Sequence, residues 1–551
     1  MKLSYSDRIY PEFNRTRGMI LNVSNKYNTG KHFMSTNKSI AKSATIIGTG
    51  TLISRILGFI RDILFAAFFG TGMYAQAFVV AFRIPNLLRD FIGEGATNAA
   101  VVPVLVEELT HKGRQEFWKL ANILLNLILI IVTLLAVVGV LLSKQIVIAI
   151  APGFLSDPSK LAVTVALTRA IFPYIIFISL AAYGMGILNS IRHFAVPAFG
   201  MSLLNVSFII CMLIWRQDII GLAWGVLLGG LCQVLIQIPI LIKNGLTFTQ
   251  RSFTHPKVKK ILKLLGPRIF GSGVYQINVF VSTVLASISR VVGEGAVAGL
   301  YFSNRILQLP LAIFAIALAQ AALPTLSGHI ANNELDKFGN SISFLLRAVG
   351  FVLLPASAGL IALSVPITRT LLERGAFSGY STLITSKALF FYAFGLLAYG
   401  VIKILVNGFY SMQDTKTPVK VAAVSLVVNI SLSALLMFPM KIGGLALANS
   451  IAAIMNATIL FIALRKKVET LHEKALGLSF LKILLASTAM GVFVFFINKW
   501  LSLVFTNEHI FYSILNLAVS ILSAIIFYLV ICHVMKITEL KELREWILKK
   551  K

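Results

Sequence analysis

Charged side chains embedded in long apolar runs are where this sequence could do chemistry. Arg55, Arg61 and Asp62 fall in one such run, Arg83, Arg89, Asp90 and Glu94 in the next, and Arg305 in a third far along the chain. A charge at the centre of a bilayer costs at least about 2.5 kcal/mol and persists mainly where it faces a wet cavity or a partner. Arginine presents a planar fork that matches phosphate oxygens two at a time, so arginines converging from distant segments point to an anionic, phosphorylated cargo. Asp62, Asp90 and Glu94 read most simply as internal partners that neutralise arginines, and Arg83 as a side chain long enough to snorkel. Packing explains Arg89 and Arg305 less well, because both lie well inside apolar runs, near equivalent places in two halves of the chain. Arg55 and Arg61 are six residues apart, about 240° around a helix, and do not share one narrow face. Arg61 and Asp62, being adjacent, are expected to diverge.

Other chemistries find no residues. Cys211, Cys232 and Cys532 sit in apolar runs without the spacing of a disulfide framework or a zinc site, and the eight histidines are scattered singly. No Walker A sequence occurs, so nucleotide hydrolysis does not drive the protein; an ion gradient, the membrane potential or the cargo gradient must. Gly48-Thr-Gly50 precedes no strand–helix unit and is not a dinucleotide loop, while Gly221, Gly225 and Gly229, four apart, read as a helix-packing face. No cofactor, resident metal or enzymatic activity is expected.

These side chains need elements to hold them. Of 551 residues, 57% are hydrophobic and 13% charged, and the mean hydropathy is +0.85. A soluble domain carries about 25% charged residues, so a cytosolic enzyme is excluded. Apolar runs place spans near 44–69, 74–106, 117–143, 161–190, 194–216, 219–243, 258–290, 295–328, 341–365, 380–411, 417–438, 442–464, 479–502 and 510–535. That is about fourteen transmembrane helices by the ~20-residue criterion, an all-α polytopic membrane protein. Lysine and arginine outnumber the acids by 50 to 21 and gather in the N-terminal tail, between Lys243 and Lys263, at Arg465-Lys-Lys467 and in the C-terminal tail. The spans put those clusters on one side, as the positive-inside rule requires, with both termini cytoplasmic. No RNA-binding motif accompanies the charge, so no nucleic-acid partner is expected. Residues 1–42 lack the apolar core of a signal peptide and are expected to form a disordered basic tail.

The chain also repeats itself. Pro103 and Pro324 stand 221 residues apart, as do Pro197 and Pro418, while Gly70-Thr-Gly72 pairs with Gly293-Glu-Gly295 and Gly221-Leu-Ala with Gly444-Leu-Ala at 223. Six spans separate the copies. Two six-helix lobes of like topology, related by a pseudo-twofold axis along the membrane normal, follow from that even number. The expected units are a tail to 42, lobes at 43–245 and 246–470, two further helices within 471–536, and a basic tail at 537–551.

Several ordered motifs then carry a resemblance: Ser54-Arg-Ile-Leu-Gly-Phe-Ile-Arg-Asp62, Ala81-Phe-Arg-Ile-Pro-Asn-Leu-Leu-Arg89, Glu94-Gly-Ala, Ala151-Pro-Gly-Phe154, and Gly408-Phe-Tyr-Ser-Met-Gln-Asp-Thr-Lys-Thr-Pro-Val-Lys420. From about residue 43 onward the chain resembles the bacterial MurJ (MviN) family, lipid II flippases of the superfamily that includes MATE exporters and polysaccharide-unit flippases. The resemblance implies fourteen helices, two lobes around a cationic cavity, and a groove of the last two helices for a lipid tail. It implies essential arginines at Arg55, Arg61, Arg89 and Arg305, associated acids at Asp62 and Glu94, and a further cationic position at Lys403. The chain departs from some members, which carry acids where it has Gln76, Asn304 and Gln308.

The function so implied is movement of an undecaprenyl-pyrophosphate-linked peptidoglycan precursor, lipid II, across the bacterial inner membrane by alternating access. Lipid II and membrane lipids are the expected partners of a monomer, and a monovalent cation is considered, with Asn407 and Asp414 as oxygen donors. The competing readings are a cation-coupled MATE-like exporter, a flippase of another polyprenyl-linked glycan, and a scaffold without cargo. Buried arginines in both halves disfavour a pocket for cationic drugs and have no use in a scaffold.

Overall fold

Helices account for the regular structure of the chain, and no strand occurs among the described residues. The computed structural model describes residues 29–89, 101–191, 193–247, 254–468, 471–504 and 510–548. Leu134, Leu141, Val427, Phe438, Phe496, Leu503 and Val534 are each more than 60% exposed, which only a hydrocarbon surrounding makes favourable. Among the described residues ten helices are long and apolar enough to cross a membrane, and the pair Gly379–Ala393 and Leu396–Ser411, bent by 48°, makes eleven.

The three remaining expected spans are not among them. The run 44–69 lies on the helix Thr29–Phe69 but holds Arg55, Arg61 and Asp62. The run 74–106 is divided into Met73–Ala81 and Arg83–Arg89 and then enters residues outside the described ones. The run 258–290 lies on Pro256–Ala286, of which the apolar stretch Gln276–Ala286 is described and the side chains just before it, 264–275, lie outside the described residues. Parts of both expected tails carry helix. Residues 29–42 lie on the helix Thr29–Phe69, and no glycine or proline between 31 and 47 interrupts the turns leading into the span. The C-terminal tail is also ordered in part, as the helix Thr538–Leu548, anchored where the buried Glu539 accepts a hydrogen bond from Ser479 at 2.6 Å and pairs with Arg347 at 3.3 Å.

Breaks within helices follow from residue chemistry. Gly113, at φ +81, turns the chain between Val102 and Leu141, where the second expected span gives way to the third. Pro310 has no N–H for the ladder, and the π-helical stretch Leu311–Ile316 follows it.

The repeat is visible in the packing. Thr29–Phe69 lies on Ala195–Trp215 as Pro256–Ala286 lies on Lys416–Met440; Val102–Leu141 packs on Tyr174–Ser190 as Leu335–Ala362 packs on Leu396–Ser411. Pro197 and Pro418 are each the third residue of their helix, and so are Gly221 and Gly444. Even a polar contact recurs: the Asn205 side-chain amide donates to the Ser54 carbonyl at 3.0 Å and that of Asn429 to Asn278 Oδ1 at 2.6 Å, each pair spanning the first and fifth helices of its half. The helices Glu473–Val504 and Ile510–Val534 have no counterpart in this pattern. They pack on each other and on Leu335–Ala362, where the Tyr528 hydroxyl donates to the Phe351 carbonyl at 2.8 Å.

Candidate functional site

Asp62 is 5% exposed and sits on the first helix about two turns before its end, beside a second helix that begins at Ala296. Arg61 does not diverge from it. Its guanidinium folds back along the helix so that Nη2 and Nε donate to Asp62 Oδ1 at 2.8 and 3.1 Å, while Nη1 donates to Asn205 Oδ1 at 3.0 Å. The expectation from helix angles failed because an arginine chain is long enough to cancel the 100° between adjacent Cα positions. From the other half, the Tyr301 hydroxyl donates to Asp62 Oδ1 at 3.0 Å and Arg305 Nε lies 3.3 Å from Asp62 Oδ2.

Aromatic faces support both guanidiniums. Arg305 stacks over Tyr301 at 5.0 Å, four residues earlier on the same helix, and Arg61 lies 5.6 Å from the Phe208 ring centroid. Asp62 brings one negative charge against the two positive charges that touch it, so the three side chains together are cationic. Arg305 is the outward-facing member, its side chain 40% exposed against 8% for Asp62. Arg61 also borders a cavity of about 180 Å³ enclosed by the first-half helices and lined by Ser54, Asn205, Gln233 and Gln237 among apolar side chains. Nothing in the arrangement resembles a nucleophile with its base; it can hold an anion by charge and by planar hydrogen-bond donors.

The other expected residues are placed unevenly. Arg55 is exposed on the helix that carries Arg61. Lys403 is exposed on Leu396–Ser411 and makes no ion pair among the described residues. Arg89 ends the helix Arg83–Arg89; its side chain, and all of Glu94, lie outside the described residues. At the repeat's offset the counterpart of Arg305 falls at positions 82–84, so Arg83, half-buried, and not Arg89, stands at the equivalent place. Asp414 and Asn407 are engaged with different partners. The Asp414 carboxylate binds Lys467 Nζ at 2.6 Å and caps the helix Lys416–Met440 through Thr417, whereas the Asn407 amide donates to the Ala319 carbonyl. Burial alone would raise the Asp414 carboxyl, but Lys467 and Thr417 hold it well below the usual carboxylate range. No group of three metal-ligating side chains occurs among the described residues.

Sequence reasoning missed Tyr301 and Asn205. An amide in the middle of an apolar span was the signal for Asn205, and a tyrosine one turn before an intramembrane arginine was the signal for Tyr301.

The two halves close on each other at the end remote from the basic clusters. The Ala376 amide donates to the Ala67 carbonyl at 2.8 Å, Thr71 and Ser381 share a hydrogen bond of 2.8 Å, and the Gly153 amide donates to Ser287 Oγ at 3.0 Å. This approach needs glycine. At Gly70 and Gly375, both with positive φ, a β-carbon would lie 2.3 Å from the carbonyl oxygens of Ala376 and Ala67. Lys160 bonds to Glu294 across the same seam. Burial pushes the Glu294 carboxyl up, but the Lys160 hydrogen bond and charge prevail and leave it below its ordinary value.

The profile of the family described as "Lipid II flippase MurJ" matches residues 65–535. A "Lipid II flippase MurJ" of Burkholderia cenocepacia is 36% identical over 428 residues, covering 76% of this chain and 82% of that protein. A relative from Haemophilus influenzae, described as "Probable lipid II flippase MurJ", is 36% identical over 476 residues, covering 82% and 92%. Among solved structures, "Lipid II flippase MurJ, inward closed conformation" superposes with a TM-score of 0.73 at 27% identity over 89% of this chain and 99% of the other. An inward-facing multidrug resistance MATE family transporter of the MOP superfamily reaches 0.64 at 14% identity over 78% and 99%, a likeness of fold alone.

Proposed function

The chain belongs to the MurJ family of lipid II flippases, and from that premise we propose that it carries lipid II from the inner to the outer leaflet of a bacterial inner membrane. The observation that carries the reading is Asp62, which holds Arg61 of its own half and Arg305 of the other in one cationic cluster. A diphosphate entering beside these arginines regains, as charge-assisted hydrogen bonds, the solvation it loses to the protein. Two like halves closed at one end supply the rest: rocking about the cluster changes which side the same site faces. No bond is made or broken in the cargo, so the role is transport without catalysis.

In this reading fourteen helices span the membrane, with lobes at 43–245 and 246–470, both termini cytoplasmic, and the closed seam on the outer side. The helices within 471–536 take the polyprenyl tail along their lipid-facing side, where Leu481, Leu485, Phe496 and Ile526 are exposed. Arg55, Arg89, Glu94 and Lys403 complete the cavity's charge. The protein acts as a monomer, driven by an ion gradient, the membrane potential or the cargo gradient.

Leaflet-resolved transport of fluorescent lipid II by the purified protein in liposomes tests the proposal. Transport that disappears in Arg305→Ala, with equal protein incorporated, is the expected result. Equal rates in protein-loaded and empty vesicles would overturn it.

A further inference from the structure

The closed seam is built mostly from backbone and short hydroxyls: Ala376 to Ala67, Thr71 to Ser381, Gly153 to Ser287. These are neutral contacts that water can replace at little net cost. One contact differs. Lys160, in the first turn of Pro158–Ile171, is 2% exposed, and the carboxylate on its ammonium comes from the opposite half, from Glu294 between the helices that end at Val292 and begin at Ala296. Asp157 is close in sequence but accepts from the backbone N–H of Lys160, at 3.0 Å, and makes no ion pair with the ammonium among the described residues. The Phe154 ring lies 5.0 Å from the ammonium.

The pair is lopsided. The lysine side chain is 3% exposed and the glutamate side chain 57%. Separation of the halves would return Glu294 to water easily, whereas Lys160 stays sealed in its pocket unless the seam opens around it. A buried ammonium without its counter-charge is strongly unfavourable, so the closed seam needs Glu294 in a way that the open one does not.

We propose that the Lys160–Glu294 ion pair is the latch of this seam, the contact that sets how much of the protein is closed at this end. It rests on the alternating-access reading, and it adds a specific consequence. Neutralising Glu294 alone strands the lysine and favours the open seam; neutralising both residues removes the stranded charge and lets the neutral contacts close the seam again. A pair that served folding alone would lose stability in each variant with no such reversal.

The test uses the full chain in nanodiscs without lipid II, with Cys211, Cys232 and Cys532 replaced by alanine and the reporter pair Thr71→Cys and Ser381→Cys across the seam. Cross-linking under mild oxidation should be near complete in this background, fall at least threefold with Glu294→Gln, and return with Glu294→Gln plus Lys160→Met. Glu294→Asp, which keeps the charge, should cross-link better than Glu294→Gln, and thermal melting of each variant registers folding separately. Cross-linking unchanged by Glu294→Gln, or still low when Lys160→Met is added, would overturn the latch. If the cross-linking pattern holds while the liposomes move no lipid II, the latch stands and the cargo assignment falls.

Discussion

Asp62 and Arg305, on helices from opposite halves of the repeat, meet with Nε 3.3 Å from Oδ2, and the same carboxylate holds Arg61 at 2.8 Å. A single acid thus joins the halves in the middle of the protein. Removing it leaves two guanidiniums facing each other without a counter-charge. Asp62→Ala should lower stability by about 3 kcal/mol, the usual cost of stripping one partner from a buried pair, and abolish flipping. Denaturation in detergent and the liposome assay check the two effects separately.

Arg305→Lys keeps the charge but loses the planar fork and the stack on Tyr301. Flipping should fall by roughly tenfold at normal membrane levels, because the lost cation–π and bidentate contacts are worth about 1–2 kcal/mol. Full activity of the lysine variant would rule out bidentate recognition at this position.

Tyr301→Phe tests the hydroxyl alone. It removes one donor from a buried carboxylate, worth about 1.5 kcal/mol, and should reduce flipping several-fold while leaving the aromatic face under Arg305 in place. Tyr301→Leu, which removes both, should be worse than Tyr301→Phe in the same assay.

The Asp414 carboxyl is held below its ordinary range by Lys467 and Thr417, so the interaction stabilises the folded chain above the unfolded pKa of about 3.9 and is lost as pH falls further. Melting temperature measured across that acid range should drop less steeply in Asp414→Asn than in the native chain. Parallel curves would show that this contact contributes nothing to acid stability.

Topology follows from the helix order and the basic clusters. Reporter fusions at the C-terminus and after Lys467 should score cytoplasmic, and one after Gly379 should score outside. An outside signal at the C-terminus would refute the orientation.

Pattern along the chain was enough for the membrane class, for most span positions and for the repeat, because hydropathy and proline or glycine punctuation are local properties that every turn of helix must satisfy. Pro197 with Pro418 and Gly221 with Gly444 occupy matching helix positions because each marks the same turn of the same packed pair. The choice of arginine as the intramembrane charge also sufficed to point to an anionic cargo. Tertiary structure alone decided which charges meet. Arg61 reaches back to Asp62 through its long side chain, Arg305 arrives from a helix far away in sequence, and helix rotation turns Tyr301 toward that carboxylate and Asn205 toward the Arg61 guanidinium. The seam was equally hidden: Lys160, in the first turn of one helix, and Glu294, between two others, lie 134 residues apart with no sign of each other in the sequence, and they meet only where the halves close. Periodicity fixes where a helix runs, but its rotation and neighbours depend on summed packing between segments, a quantity no single stretch of sequence contains.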